Sequence, residues 1–382
     1  MEHEETGAIA PLASTRERKG FFLAFLLCIL SIGLGAALIL PRVIDGDAVG
    51  YANAIKVYQG TVQLQIPAGL SENTLDVVTA HRILTTFLGI EAVRIFSGMF
   101  NSLIVGWIVW NTILFFAVSI IFYRLLELFF KSPKVAFIGG LFFAGNYSMV
   151  AQGLALFMDM GGWFFYVLSL YWLYRYIESG RYRDIFFAAL AIAVGGFFKE
   201  NSFVAFVPLT LVLLYEYYRT PLTYLKRIVP LGLIIAVPMV ILHVAVYLKY
   251  EYVYAYWIRL AGTFVYPSLV AEYIKSFGSL LTFLAPISLA GAVILWRERN
   301  LLSTKRLIFL IGVVISTIPA IMWPAITQRV LFLVLPWVII LAGFCIKRYE
   351  RYWYAFLPVL AVYILAAFTM DSFILDFVNL PI

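Results

Sequence analysis

The sequence predicts an all-α polytopic membrane protein with about eleven transmembrane helices, the N-terminus inside and the C-terminus outside. Of its 382 residues, 63% are hydrophobic and only 13% are charged, and the mean hydropathy is +0.94. A soluble protein of this length cannot keep so many apolar side chains away from water. The apolar runs are continuous rather than alternating, which favours helices over the strands of a membrane barrel.

Apolar runs between charged interruptions define the predicted spans. They lie near residues 20–40, 95–123, 135–150, 159–176, 184–198, 201–217, 228–248, 277–296, 307–323, 330–346 and 353–370. The first run follows three basic residues and ends at Pro41-Arg42 without the small residues of a signal-peptide cleavage site. We therefore expect it to be a permanent span.

The distribution of basic residues predicts which loops face inward. About two thirds of the 28 Lys and Arg residues lie in segments that are inner when the N-terminus is inside, in agreement with the positive-inside rule. The same rule requires a turn at Lys199, between the basic clusters Arg181/Arg183 and Lys226/Arg227. Because membrane orientation accounts for these charges, the pI near 9.2 does not indicate nucleic-acid binding.

Two outer segments are large on this topology, residues 41–94 and 249–275. The first is too polar to span, yet "AVGYANAIKVYQG" and "LDVVTAHRILTTFLGIEAVRIF" carry apolar residues at helical spacing, which predicts helices lying at the outer interface. The chain is thus divided into a cytoplasmic tail at 1–19, a transmembrane module at 20–220 that includes the loop 41–94, and C-terminal helices at 221–382 with the loop 249–275.

Ionisable residues beside the outer ends of the spans are the candidates for chemistry. They are Asp45, Asp47, His81, Arg82, Asp159, Lys199, Glu200, Arg259 and Arg329. Carboxylates at such a boundary can activate a hydroxyl or amine or hold a divalent cation, and the cations can hold a phosphate group. We therefore expect these side chains to converge in one site at the outer membrane boundary.

Three motifs resemble elements of the GT-C superfamily of polyprenyl-phosphate-sugar glycosyltransferases, which includes protein O-mannosyltransferases and lipid A aminoarabinose transferases. "DAVGYA" resembles the start of the family's first outer loop, with Asp47 as its aspartate and Tyr51 as its aromatic residue. The family often has Glu directly after that aspartate, whereas this chain has Ala48, and Asp45 is the alternative second carboxylate.

The other two motifs follow in the same order as in the superfamily. "NYSMVAQGLALFMDMGGWFFYVLSLYWLYRY" resembles its second outer loop, with Asp159 as the matching aspartate. "AALAIAVGGFFKENSFVAFVPLTLVLLY" is similar to its small-residue helix, Lys-Glu turn and return helix, matched by Lys199, Glu200 and Pro208. The resemblance covers roughly residues 20–220, and Arg329 before "LPW" is a weaker match beyond it.

The resemblance implies an inverting glycosyltransferase that moves a sugar from a polyprenyl-phosphate donor to a lipid, glycan or protein acceptor. Asp47 is then the catalytic base, with Asp159 as the second catalytic carboxylate, and these two are also the possible ligands of a divalent cation. The predicted roles of the others are donor-phosphate binding for Lys199, Arg329, Arg259 and Arg82, and acceptor binding or a second carboxylate for Asp45, Glu200, Tyr51 and His81.

Simpler interpretations compete at each position. Asp45 and Asp47 with the intervening Gly46 suit an interfacial turn, Asp159 suits a helix N-cap, and Lys199 with Glu200 suits an ion pair that extends to solvent at a hairpin tip. His81 suits a structural hydrogen-bonding partner. The aromatic run at 247–268 is either an interfacial anchor or a wall for a sugar or lipid.

Two other functions remain open from the sequence. A transporter or lipid flippase is one, although charges near mid-bilayer and two similar halves, which are typical of transporters, are missing from this sequence. A non-catalytic scaffold subunit is the other. The predicted location is a prokaryotic cytoplasmic membrane with the site facing outside, and the predicted partners are the lipid-linked donor and membrane lipid.

Overall fold

A computed structural model of the chain describes residues 14–39, 47–64, 74–261, 269–281, 283–322 and 328–378. All regular structure in these ranges is helical. The first nine α-helices are α1 Thr15–Ile39, α2 Asp47–Tyr58, α3 Thr74–Thr85, α4 Phe87–Phe100, α5 Leu103–Phe130, α6 Pro133–Ala144, α7 Asp159–Ser179, α8 Tyr182–Gly196 and α9 Phe206–Tyr217. The remainder are α10 Pro221–Tyr250, α11 Tyr254–Ala261, α12 Leu269–Leu281, α13 Leu284–Arg297, α14 Thr304–Ser316, α15 Ile318–Ile321, α16 Gln328–Leu331, α17 Leu335–Arg348 and α18 Phe356–Val378.

Local sequence signals set the helix ends in the central part of the chain. Ser102 and Ser132 are the N-caps of α5 and α6, and each side chain accepts a hydrogen bond from the backbone N–H three residues later. Pro133 occupies the first turn of α6, where its missing N–H costs nothing. Lys131 ends α5 in the left-handed conformation, so the chain can leave α5 and enter α6 within two residues.

Two apolar cores organise the molecule. The larger core lies where α5, α6 and α7 pack with α1, α8 and α17 around them, and it includes a stack of Phe122 on Phe143 at 4.1 Å. The smaller core joins α2, α3 and α4 to the first turns of α5, to residues 156–158 and to the segment that leads into α11. Tyr51 belongs to this smaller core, and the helices that form it also carry Asp47, His81 and Arg82.

Six segments of the described chain are long and apolar enough to cross a membrane, and the number is eight if each of two bent helix pairs is one span. The predicted count of eleven is therefore not confirmed, although a helix occupies each predicted interval. Four predicted spans are not among these segments. One is α7, which has 21 residues, and the other three are the short helices α6, α8 and α9, with 12, 15 and 12 residues. At 1.5 Å per residue these reach only about 18–22 Å, less than the ~30 Å of a hydrocarbon core.

The predicted span at 95–123 begins at a different residue in the structure. The chain breaks at Asn101, which is left-handed, and α5 starts only at Leu103. Residues 95–100 belong instead to α4, which makes an angle of 94° with α3 across the junction at Thr86. The loop 41–94 does contain helices, as predicted.

The chain bends back at Lys199, as the charge pattern predicts. The backbone N–H of Lys199 donates to the carbonyl of Gly195 at 2.8 Å, and the Ser202 hydroxyl donates to the carbonyl of Ile192 at 3.4 Å. A Cβ on Gly195 would lie 2.7 Å from the Ser202 Cβ, so this return of the chain requires a residue without a side chain.

Candidate functional site

Tyr51 lies at the centre of the candidate site, on the first turn and a half of α2. Its hydroxyl accepts a hydrogen bond from the Lys199 ammonium at 3.0 Å, and the Arg82 guanidinium lies 4.7 Å above its ring. All three side chains are buried, with exposures of 0%, 8% and 3%. A phenol therefore joins two buried cations that come from sequence positions more than a hundred residues apart.

Asp159 and Arg329 form the second part of the site. The Asp159 carboxylate lies 3.4 Å from the Arg329 guanidinium, which also sits 4.1 Å above the ring of Phe157. Asp159 is the first residue of α7, and the N-cap position belongs to Met158, which makes no side-chain cap. The N-cap interpretation of Asp159 is therefore wrong, although its negative charge still complements the positive end of the helix.

Polar groups of α5 hold the chain segment that leads to Asp159. The Asn111 amide donates to the carbonyls of Ala155 at 2.6 Å and Phe157 at 2.9 Å, and the Trp107 indole N–H donates to the Phe157 carbonyl at 3.2 Å. Sequence reasoning missed both residues. A single asparagine inside the apolar run "GWIVWNTILFF" is the signal that could have revealed them, since a polar group in a span needs a partner.

The turn at Lys199 packs directly on the start of α7. A Cβ on Gly162 would lie 2.5 Å from the Lys199 Cβ and 2.1 Å from the Asn201 Oδ1. The absence of a side chain at Gly162 thus lets Lys199 approach the helix that carries Asp159. Lys199 is buried and bonded to Tyr51 rather than extended to solvent, so the interpretation as an exposed hairpin pair is wrong.

The aromatic residues that follow α10 pack against His81 and Arg82 at one side of the site. The Trp257 ring stacks on the His81 ring at 4.1 Å with 8° between their planes, and Arg82 lies 5.1 Å above Trp257. The His81 Nδ1 is 3.1 Å from the Tyr252 hydroxyl. His81 thus has the structural hydrogen-bonding partner that the sequence suggested, and Arg82 is held between Tyr51 and Trp257.

The charges of the site keep Lys199 protonated. Burial by itself lowers the pKa of Lys199, but its interactions with Glu200, Tyr51 and Asp159 more than offset this and raise the pKa above its ordinary 10.5. Burial, and next the charge of Glu200, raises the pKa of Tyr254 to about 12. The raised pKa values thus keep Lys199 charged and Tyr254 neutral at physiological pH.

The described contacts of this cluster do not include three of the predicted residues. Asp45 lies outside the described residues. Asp47 is the first residue of α2, one helical turn before Tyr51, and its side chain also lies outside the described part. Arg259 is exposed and follows Trp257 by two residues on α11, which places it on the opposite face of that helix from the buried Trp257.

A divalent cation does not fit the described part of the site. Asp159 faces Arg329 at 3.4 Å and lies near Lys199, and both cations compete with a metal ion for its oxygens. Within the described residues, no three His, Cys, Asp or Glu side chains come together as metal ligands. The possible metal role of Asp47 and Asp159 stays a prediction.

The comparisons with known proteins support the resemblance seen in the motifs. Residues 90–245 match the family model of the dolichyl-phosphate-mannose-protein mannosyltransferases. No curated protein and no solved structure shows a significant match to the chain. The matched segment includes Asp159, Lys199 and Glu200, whereas Asp47, Tyr51 and Arg82 precede it. Over residues 90–245 the resemblance to the GT-C superfamily is thus confirmed, and it implies a membrane glycosyltransferase of the GT-C type.

Proposed function

We propose that this chain transfers a sugar from a polyprenyl-phosphate donor to a hydroxyl-bearing or amine-bearing acceptor at the outer face of the membrane. The observation that carries the proposal is the contact of Lys199 and Arg82 with Tyr51, one helical turn after Asp47, together with the charge interaction of Lys199 with Asp159, which pairs with Arg329. Two buried cations that separate elements bring to one phenol create a positive region, which an anion complements. A donor phosphate supplies that anion.

The cations act on the leaving group. Lys199 and Arg82 both contact Tyr51, so a phosphate oxygen bound beside its hydroxyl receives two charge-assisted hydrogen bonds. As the bond between the anomeric carbon and the phosphate oxygen breaks, negative charge grows on that oxygen. Cations that are fixed beforehand stabilise this charge more in the transition state than in the ground state.

Asp47 acts on the nucleophile. Its carboxylate accepts the proton of the acceptor hydroxyl while the acceptor oxygen attacks the anomeric carbon from the face opposite the phosphate. The electron pair of the broken bond stays on the polyprenyl phosphate, and the configuration of the sugar inverts. Asp159, held by Arg329, orients the acceptor or the sugar hydroxyls through its free carboxylate lone pairs.

The test of the base is Asp47→Asn in the purified full-length chain, supplied with a panel of radiolabelled polyprenyl-phosphate sugars. We expect loss of label from the donor lipid to slow by at least about a hundredfold, in the range usual for general bases, while donor binding persists. The matched control is Asp76→Asn, the same change on α3. Transfer at the wild-type rate by a folded, donor-binding Asp47→Asn protein would contradict the assignment.

The alternative functions give different results in the same preparation. A flippase moves the lipid-linked sugar across a liposome membrane without breaking its glycosidic bond, so the label stays on the lipid. A scaffold subunit tolerates alanine at Asp47, Asp159 and Lys199 without any loss of activity in the membrane. The two buried cations Lys199 and Arg82, with the half-buried Arg329 and the carboxylates of Asp159 and Glu200, favour chemistry over either alternative.

A further inference from the structure

A second charged cavity lies at the end of the bundle opposite the candidate site. It has a volume of about 510 Å³. We call it the basic cavity, and its polar lining consists of Arg18 from α1, Arg124, Glu127 and Lys131 from α5, and Tyr171 and Arg175 from α7. Asp159 and Arg175 are sixteen residues apart on α7, so the two sites are about 24 Å apart along that helix.

The carboxylates nearby do not neutralise the four cations of the basic cavity. Arg124 pairs with Glu127 at 2.8 Å, and Arg175 lies 3.6 Å from Asp184. Lys131 is 4.0 Å from Glu178, which pairs more closely with Arg306 at 2.7 Å. Arg18 has no carboxylate within 4.0 Å among the described residues. The cavity therefore keeps a net positive charge, which suits an anion.

An apolar surface continues from the basic cavity along the bundle. On α5, the residues Ile113, Ala117, Ile120 and Arg124 follow one another at helical spacing on one face, and all are half-buried or exposed. On α7 the half-buried Leu168 precedes Tyr171 and Arg175 in the same way, and α5 packs against α7. A hydrocarbon chain can lie along this surface for about 16 Å, the length from residue 113 to residue 124.

We propose that the basic cavity binds the phosphate headgroup of an anionic phospholipid, whose acyl chain lies along the outward faces of α5 and α7. Arg18 is the central contact, because it lies on the face of α1 that carries the buried Phe25 and Ile29 and so points toward the bundle. Arg124 and Arg175 hold the other phosphate oxygens. The cavity serves as a lipid site separate from the sugar-transfer site.

The test uses the purified full-length chain and two lipids with identical acyl chains, phosphatidylglycerol and phosphatidylcholine. Native mass spectrometry counts the bound lipid, and thermal unfolding measures the stabilisation that binding gives. We expect phosphatidylglycerol to be retained and to raise the melting temperature, with phosphatidylcholine weaker by about tenfold or more, because the cations of the basic cavity repel its choline ammonium.

The variants locate the binding. Arg18→Gln weakens phosphatidylglycerol binding by about tenfold, Arg18→Lys keeps most of it, and Arg219→Gln, the same change outside the cavity, leaves it unchanged. Arg124→Gln replaces Arg18→Gln if the latter does not fold. Equal retention of the two lipids would overturn the proposal. So would undiminished phosphatidylglycerol binding by the folded Arg18→Gln and Arg124→Gln proteins.

Soluble phosphate compounds test whether the basic cavity binds a lipid or only a free phosphate. Inorganic phosphate and glycerol 3-phosphate, each at the concentration of the lipid, should stabilise the protein much less than phosphatidylglycerol. Equal stabilisation by either would assign the basic cavity to a soluble phosphate compound and reject the lipid. Because the readouts are binding and unfolding rather than sugar transfer, this result is independent of the proposed function.

Discussion

Lys199 is the residue on which the candidate site depends most. It is buried, donates to Tyr51 and lies beside Glu200 at 3.9 Å. Its raised pKa means that the charge is fully present below the ordinary value of 10.5 and is lost only as pH rises beyond that value. Titration of Lys199 therefore does not limit donor binding at neutral pH.

Replacement of Lys199 by Met removes this charge with little change in volume. We expect the dissociation constant for a polyprenyl-phosphate sugar to rise by about tenfold to a hundredfold, because one charge-assisted hydrogen bond to phosphate is lost. Equilibrium binding of a labelled donor measures the change. Lys199→Arg should keep part of the affinity, and Lys226→Met is the control; unchanged affinity in Lys199→Met would exclude Lys199 from the phosphate site.

Gly162 sets the distance between the turn at Lys199 and α7. A methyl group there would overlap the Lys199 Cβ and the Asn201 amide, so Gly162→Ala should shift Lys199 and destabilise the fold by about 1–3 kcal/mol. Transfer should fall more than stability alone explains. Gly232→Ala, whose Cβ would have no atom within 4 Å, is the control. The prediction fails if both variants have the stability and the transfer rate of the wild type.

At the scale of elements, α5 both supports the core and positions the site. Asn111→Leu would leave the half-buried carbonyl of Ala155 without its Asn111 donor and the carbonyl of Phe157 with only the Trp107 N–H, at a cost of about 1–3 kcal/mol. We expect lower stability in chemical unfolding and slower sugar transfer, since Asp159 follows directly. Thr112→Val, which removes only a hydrogen bond within α5, is the control. A stable Asn111→Leu protein with normal transfer would contradict this role.

The sequence predicted elements better than their junctions. Continuous apolar runs identify α1, α5 and α10 because a span is a property of about twenty consecutive residues. The break at Asn101 and the bend at Thr86 depend on single backbone conformations and on packing between helices, which hydropathy does not contain. The turn at Lys199 was predictable since basic clusters on both sides constrain it.

The site residues were predictable to a different degree. Charged residues in an apolar chain are few, so Asp159, Lys199, Arg82 and Arg329 could be selected by type alone. In the structure Lys199 and Arg82 contact Tyr51, and Asp159 pairs with Arg329. Arg259 is a charged residue of the same kind, yet it lies on the exposed face of α11. The partner contacts of Trp257 and Asn111 depend on tertiary packing and could not be read from spacing.

On the scale of the whole molecule, the two charged regions predict the sidedness of the chain. The candidate site and Arg259 should face outward, while Arg183, at the other end of α7 and α8, should face inward. After replacement of Cys28 and Cys345 by Ala, single cysteines at positions 259 and 183 should react with a membrane-impermeant maleimide from opposite sides. Labelling of both from the same side in sealed vesicles would refute this topology.

The right-angled bend at Thr86 links the angle between α3 and α4 to the position of Arg82 in the proposed phosphate site. Arg82 lies four residues before the bend, about 6 Å along α3. A change of about ten degrees in the angle between α3 and α4 would displace the Arg82 guanidinium by on the order of 1 Å relative to Lys199, because Lys199 packs against α7 and would not move with α3. Misplacements of this size cost about a hundredfold in rate. For the proposed sugar transfer, we therefore expect the rate to depend on bilayer thickness wherever that thickness changes the tilt of α4.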